Sequence, residues 1–190
     1  GHNWHRMHAS RGTLPCKLRR FFPGSNQAEM VQRIARTQHN LAAVTPVQAT
    51  CWNTFFRFYT NALPTDRRLY RAGITPADRR PYAAATRACH FCDLPEGDDL
   101  RHIYGVCPAI NTALRRAARR HKIPLPAASL LEICTLSYPP PASKAQCLQV
   151  VTWAMTAVWA VWSERTRHFS ALAAIPPQNT IDNRLGLCIE

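Results

Sequence analysis

Apolar residues in this chain return at intervals of three and four, the period of helices that lie on a core. The spacing predicts a first helix over residues 25–43, capped by Ser25 or Asn26, with Met30, Ile34 and Leu41 facing inward and Pro46 marking the following turn. Trp52, Phe55, Phe56, Tyr59 and Leu63 stand at i, i+3, i+4, i+7 and i+11 and predict a second helix with one broad apolar face. Such a stripe reads as core, and the other use of its aromatics is a base-stacking platform. Pro64 breaks this helix, Thr65 can cap a short successor and Gly73 can stop it, which gathers Arg67, Arg68 and Arg71 on one small exposed surface. Further helices are expected over 111–122 and 127–136. After the stiff Pro139-Pro140-Pro141 connector, a long one is expected over 143–173. In the last helix Cys147, Val150, Val151, Met155, Val158, Trp159, Trp162 and Phe169 keep the helical period, while Trp153 and Val161 widen the stripe. It must then be covered on two sides, one by the Trp52 helix and the other by residues 127–136 or by a partner. No internal repeat and no parallel-sheet pattern is present, so the expected fold is a mainly α domain with a loop at its middle and extended termini. Its expected parts are a basic arm over 1–24, a helical domain over 25–173 containing a distinct segment at 87–110, and an extension over 174–190.

Composition sharpens the picture through charge. The 190 residues (21.4 kDa, 46% apolar) can bury a real core, which excludes whole-chain disorder. Twenty-four basic residues against 11 acidic ones leave a formal charge of +13 and a pI of about 10.1, so an anionic partner is expected. All but three of the cations are Arg, which suits bidentate phosphate contacts but can also reflect base composition. They cluster as Arg6, Arg11, Lys17, Arg19 and Arg20 in the arm, as Arg67, Arg68 and Arg71 at the corner, and as Arg115, Arg116, Arg119, Arg120 and Lys122 on one helix. That helix carries no acid to relieve its repulsion; the choice is between a solvated face and a nucleic-acid contact. The most apolar run, residues 150–162, ends at Ser163-Glu164-Arg165, short of the roughly 18 residues a bilayer span needs. A first residue other than Met suggests a processed or truncated chain whose targeting segment has gone.

The chemistry lies in Cys89-His90-Phe91-Cys92 followed by His102 and Cys107, a C-x2-C-x9-H-x4-C spacing. Three thiolates and an imidazole are the donor set of a tetrahedral Zn²⁺, and a C-x2-C turn lets two sulfurs approach one ion at about 2.3 Å. The intervening Pro95, Glu96, Gly97, Asp98 and Asp99 make a polar turn. The resulting charge of about −1 would be balanced by Arg87 and Arg101. Plain buried thiols are the alternative reading, and His90 is the competing ligand, which the turn should point outward. With all four positions filled by protein, the metal would be structural rather than catalytic, and the 87–110 segment is expected to be a zinc-bound Cys3His loop at the middle of the helical domain. The other cysteines show no ligand spacing, which favours a reducing compartment with one metal site over a disulfide scaffold.

The run Trp52, Leu63-Pro64-Thr65-Asp66-Arg67-Arg68-Leu69, Cys89-x2-Cys92 and His102-Ile103-Tyr104-x2-Cys107-Pro108 resembles the reverse-transcriptase zinc-binding domain near the C-terminus of non-LTR retrotransposon proteins. Residues 158–165, Val-Trp-Ala-Val-Trp-Ser-Glu-Arg, resemble the Trp-rich helix that often follows it. The resemblance covers about residues 47–170 and implies ligands at Cys89, Cys92, His102 and Cys107 and a role in binding element RNA or target DNA. The chain departs from a polymerase, because Asp98-Asp99 follows Glu96-Gly97 rather than an apolar strand residue and an aromatic. After Cys107 it has no carboxylate-lysine cluster of a nuclease, and no nucleophile–base pair is legible.

A non-enzymatic chain is therefore expected, without a small-molecule substrate. The first expectation is an RNA-binding structural subunit of a large ribonucleoprotein such as a mitochondrial ribosome, touching RNA through the basic clusters and other proteins through the long helix. The second is the C-terminal nucleic-acid-binding fragment of a mobile-element polyprotein, for which DNA is also a possible partner. The third is a protein-only scaffold. Mitochondrial placement suits the first and nuclear placement the second.

Overall fold

The computed structural model describes residues 14–43, 49–60, 62–63, 65, 88–95 and 99–171. These form α1 (Leu14–Phe21), α2 (Gln27–Ala42), α3 (Ala49–Tyr59), a π-helical turn (His102–Val106), α4 (Pro108–Arg120), α5 (Leu130–Cys134) and α6 (Lys144–Ala171). Among the described residues there is no strand, and no helix is long and apolar enough to cross a membrane. The mainly α fold is thus what the periodicity implied, and the Cys3His cluster at its middle is what the ligand spacing implied.

Helix α6 is the central strut. Val150, Val151, Trp153, Ala154, Met155, Ala157, Val158, Ala160 and Val161 are all buried, and Trp159 and Trp162 are half-buried. Helices α2, α3, α4 and α5 all contact it. The second cover predicted for this helix therefore comes from within the chain, from α5 among others, and a partner is not needed for it.

The first predicted helix starts at Gln27 because Asn26 caps it. Its Oδ1 accepts from the Glu29 amide (2.9 Å) while the Glu29 carboxylate accepts from the Asn26 amide (3.2 Å), a reciprocal capping box. Met30 and Leu41 are buried and Ile34 packs at the core margin. In α3 the buried stripe is Cys51, Phe55, Phe58 and Tyr59, with Leu63 buried beyond its end. Phe56, expected on that face, is 39% exposed, and Trp52 is half-buried. The apolar arc is centred one residue away from the predicted one, so Phe58 takes the place assigned to Phe56.

The basic tract before residue 25 is not simply an arm. Residues 14–21 form α1, and its Leu18 and Phe21 enter the core, with Phe21 against Phe58 at a ring separation of 5.0 Å. Two apolar side chains three residues apart suffice to dock one helical turn, which a reading based on charge passes over. Residues 1–13 and the expected extension from 174 lie outside the described residues, as do most residues of the Leu-Pro-Thr corner.

Buried polar groups join α2 to the segment that leads from α5 into α6. Asn40 Nδ2 donates to the carbonyls of Leu136 (2.9 Å) and Tyr138 (3.1 Å), and the Cys147 thiol donates to Asn40 Oδ1 (3.4 Å). Thr37 Oγ1 donates to the Thr135 carbonyl (3.3 Å). At the rim Arg33 pairs with Glu132 (2.7 Å) and lies over the Phe22 ring (4.0 Å). Glu132 also completes the Ser129 capping box of α5.

Two outcomes follow from these contacts. Asn40→Ala leaves two buried carbonyls without their donor and should lower unfolding stability by about 2–4 kcal/mol, read from the urea midpoint at constant slope. Burial pushes the Glu132 carboxyl up, but the Ser129 groups and Arg33 outweigh it and hold it below the usual carboxylate range. A depressed folded value means that its stabilisation is complete above the unfolded value, near pH 4.3, and is lost as pH falls through the folded one. The stability difference between the native chain and Glu132→Gln should therefore shrink on acidification below about pH 4.

Candidate metal centre

The C-x2-C segment is a tight turn closed by its own backbone. The Cys89 amide donates to the Leu94 carbonyl (3.0 Å), and the amides of Cys92 (3.3 Å) and Asp93 (2.8 Å) converge on the Cys89 carbonyl. Asp93 has a φ of 55°, a left-handed conformation that Asp tolerates better than most residues. This fold-back sets both thiols on one side, and His90 between them is half-buried and is not part of the ligand cluster.

The second pair depends on an unusual turn. In a regular α-helix two residues five apart sit about 140° around the axis from one another, too far to face one ion. The π-helical turn removes this obstacle. The Cys107 amide donates to the His102 carbonyl at 2.7 Å, an i→i+5 bond that stacks His102 and Cys107 one turn apart. Asp99 starts the turn by accepting from the His102 amide at 2.8 Å, the part a capping carboxylate plays at a helix start. Tyr104 anchors it: its hydroxyl donates to the Val158 carbonyl of α6 (2.9 Å), and its ring meets Phe58 edge-on at 4.8 Å. Cys107 is also the N-cap residue of α4, and Pro108 opens that helix where no amide partner is needed.

Cys89, Cys92, His102 and Cys107 thereby bring one ligand atom each to within 4.8 Å of one another. Cys89, Cys107 and His102 are buried, and Cys92 lies at the rim. The Cys89 and Cys107 sulfurs are 3.8 Å apart and the Cys92 sulfur is 3.3 Å from His102 Nε2. A tetrahedral ion with metal–sulfur bonds of about 2.3 Å requires sulfur separations of about 3.8 Å, so the donor set and its spacing fit one ion. The group could hold a metal, with His102 ligating through Nε2.

Without a cation the three thiols resist ionising together. The hydrogen bond between the Cys89 and Cys107 thiols, reinforced by burial, holds Cys89 far above its ordinary range, and burial raises Cys92. The same hydrogen bond lowers Cys107, helped by the Ile110 amide in the first turn of α4. Cys134, pushed up to about 12 by burial, is an inert core thiol. Cys51, Cys89, Cys92, Cys107, Cys134 and Cys147 are in no disulfide.

The cationic residues separate into groups. Arg115, Arg116, Arg119 and Arg120 project from α4 and are exposed, and Lys122 is exposed just beyond it. Arg19 and Arg20 are exposed on α1, where Arg19 donates to Gln27 Oε1 (2.6 Å). Lys17 lies in α1, with its side chain outside the described set, while Arg6, Arg11, Arg67, Arg68 and Arg71 lie outside the described residues. Arg101 is exposed beside His102, and Arg87 is outside the described residues.

Three contributors were not legible in the ligand motif: the π-turn, the Asp99 cap and the Tyr104 anchor. Signals existed for the first two. A four-residue gap between ligands on a helical segment demands a wider turn, and an Asp three residues before a ligand is a helix-start signature. Comparison with protein-family models, with curated proteins and with solved structures finds no match.

The thiol chemistry fixes the direction of a pH effect. Cys89 and Cys92, raised in the metal-free state, must release protons when a metal binds. Affinity should therefore rise with pH by about two decades per unit near neutrality, checked by chelator competition between about pH 6 and about pH 8. A flat profile would show that these thiols are not the ligands.

Proposed function

We propose that this chain is a non-catalytic, zinc-stabilised RNA-binding subunit of a large ribonucleoprotein, such as a mitochondrial ribosome, built from a retroelement-derived zinc-binding domain. The observation that carries this reading is a coupling of two features. A four-ligand cluster closes around one point, and α4, which begins at the ligand Cys107, turns four arginines outward. Zinc suits a tetrahedral set of three sulfurs and one imidazole, and four protein donors leave no position for water or substrate. The ion then clasps the Cys89 turn to the start of α4, a structural task. The formal charge of +13 supports an anionic partner, and its concentration in arginine suits phosphate.

The protein contacts of such a subunit belong elsewhere than first expected. Helix α6 spends its apolar stripe inside the chain, so the long helix is not the free apolar surface of this reading. A second reading is the C-terminal nucleic-acid-binding fragment of a non-LTR retrotransposon reverse transcriptase. It is favoured by the order of the Leu63-Pro64-Thr65 run, the Cys3His spacing and the Trp-rich segment at 158–165. A polymerase palm encoded in the same reading frame would decide for it.

The division of labour between metal and arginines is testable. Binding to RNA should weaken steeply between about 50 and 200 mM salt if roughly six phosphates are neutralised. Arg115→Glu with Arg119→Glu should abolish most of that binding while the helical circular dichroism and one bound zinc per chain, read by native mass spectrometry, persist. Cys89→Ser should instead lose the metal and lower the unfolding midpoint. A salt-independent interaction, or equal loss of folding in both variants, would overturn the assignment.

A further inference from the structure

We propose, resting on the zinc-site part of the reading above and not on RNA binding, that Cys92 is the point at which a hydroperoxide oxidises the metal centre, and that the reaction closes a Cys89–Cys92 disulfide and releases the ion.

Access selects the first sulfur. Among the cysteines whose side chains are described, Cys51, Cys89, Cys107, Cys134 and Cys147 are at most 3% exposed, and Cys92 is half-buried at the rim. Its neighbours give it little cover, since Asp93, Leu94 and Pro95 are all exposed. A metal-bound cysteine is held as the thiolate, the nucleophilic form, so a ligand sulfur that meets solvent is open to oxidation while a buried one is not. Burial leaves no comparable approach to Cys89 or Cys107.

The turn selects the second sulfur. The Cys92 amide donates to the Cys89 carbonyl (3.3 Å), which closes a four-residue turn. The ends of such a turn stand within about 7 Å, and a disulfide bridges α-carbons about 4.4–6.8 Å apart. The two sulfurs are already within 4.8 Å of one another. Cys107 also lies within that distance, but it follows the π-helical turn, which Asp99 caps and the bond from Tyr104 to the Val158 carbonyl ties to α6. Closure on Cys89 asks for adjustment inside one turn, whereas closure on Cys107 must draw two separately anchored segments together.

The chemistry balances with the peroxide alone. The Cys92 thiolate attacks one peroxide oxygen, the O–O bond breaks, and hydroxide leaves with its electron pair, giving a Cys92 sulfenic acid. The Cys89 thiolate attacks that sulfur, forming the S–S bond as the S–O bond breaks and a second hydroxide departs. Two electrons pass from the sulfurs to the peroxide, and both hydroxides take protons from solvent. His102 and Cys107 remain as two donors in place of four, so the ion passes to water. Because the π-turn is anchored by the core, the release frees the Cys89 turn from the start of α4 without melting that helix.

The test treats the full zinc-loaded chain with hydrogen peroxide and reads zinc with a colorimetric indicator and each cysteine by tryptic mass mapping. Trypsin cuts after Arg87, Arg101 and Arg115, so Cys89 and Cys92 share one peptide (88–101) and Cys107 lies on the next (102–115). Zinc release should parallel the loss of two hydrogens within peptide 88–101, the helical circular dichroism should persist, and thiol reductant with added zinc should restore the site. With dimedone present, the sulfenic acid should be trapped on Cys92. Cys92→His keeps a fourth donor without the rim thiol, and its bound zinc should be released at least about tenfold more slowly. Cys134→Ala should release zinc within about twofold of the native rate. A dimedone adduct on Cys89 or Cys107, a disulfide joining the two peptides, zinc kept while Cys92 is oxidised, or undiminished release from zinc-loaded Cys92→His would overturn this proposal while leaving the metal centre in place. The peptide readouts need only the native chain and stand even if Cys92→His fails to load. A native chain that binds no zinc would overturn the metal-centre reading itself, and this proposal with it.

Discussion

One hydrogen bond, from the Cys107 amide to the His102 carbonyl, decides whether the four ligands can meet. Because it spans five residues instead of four, the chain between the ligands widens by one position and both side chains come to the same side of the turn. The surroundings hold this wider turn in place. Asp99 caps its start, Tyr104 ties its middle to α6, and Pro108 begins a regular helix immediately after its end. The ligand geometry is thus set by the hydrophobic core, and an ion would find its imidazole and its last thiol already positioned.

That order of cause explains which features were legible from residue spacing. The ligands were found because thiols and an imidazole at short intervals have few other uses, and the long helix was found because its period survives over many turns. Helix α1 was missed because a tract with five cations reads as a tail, yet Leu18 and Phe21 alone dock it. The α3 stripe was misplaced by one residue because Phe56 and Phe58 are chemically alike, and only the rotation of the helix against α6 distinguishes them. The π-turn was invisible to any template of period 3.6, since it is a departure from that period at a single step. Tertiary contacts decide all three, and each involves a partner far away in sequence.

The buried polar groups show how the chain around the long helix acquires a unique path. Asn40 accepts from Cys147 and donates to two carbonyls of the passage between α5 and α6, so a single side chain holds the end of α2, that passage and the first turn of α6 in register. Apolar packing alone allows neighbouring helices to slide by a turn with small penalty, whereas a buried amide satisfied at three points does not. Arg33 and Glu132 repeat the connection at the rim, where solvent screening makes their pairing weaker.

Two helix ends in this fold close with the same backbone pattern, and their occupants differ in an instructive way. At the end of α5, Leu136 takes the left-handed position with a φ of 57°, is fully buried, and gives its carbonyl to Asn40. Its strain, roughly 1–2 kcal/mol, is offset by the transfer of a large apolar side chain out of water, on the order of 1.5–3 kcal/mol. At the end of α4 the same position holds Lys122, whose side chain is exposed and gains no such burial. Core packing therefore accounts for the residue at one end and not at the other. What distinguishes Lys122 from a glycine is a charge delivered to the surface, just beyond a helix that already exposes Arg115, Arg116, Arg119 and Arg120.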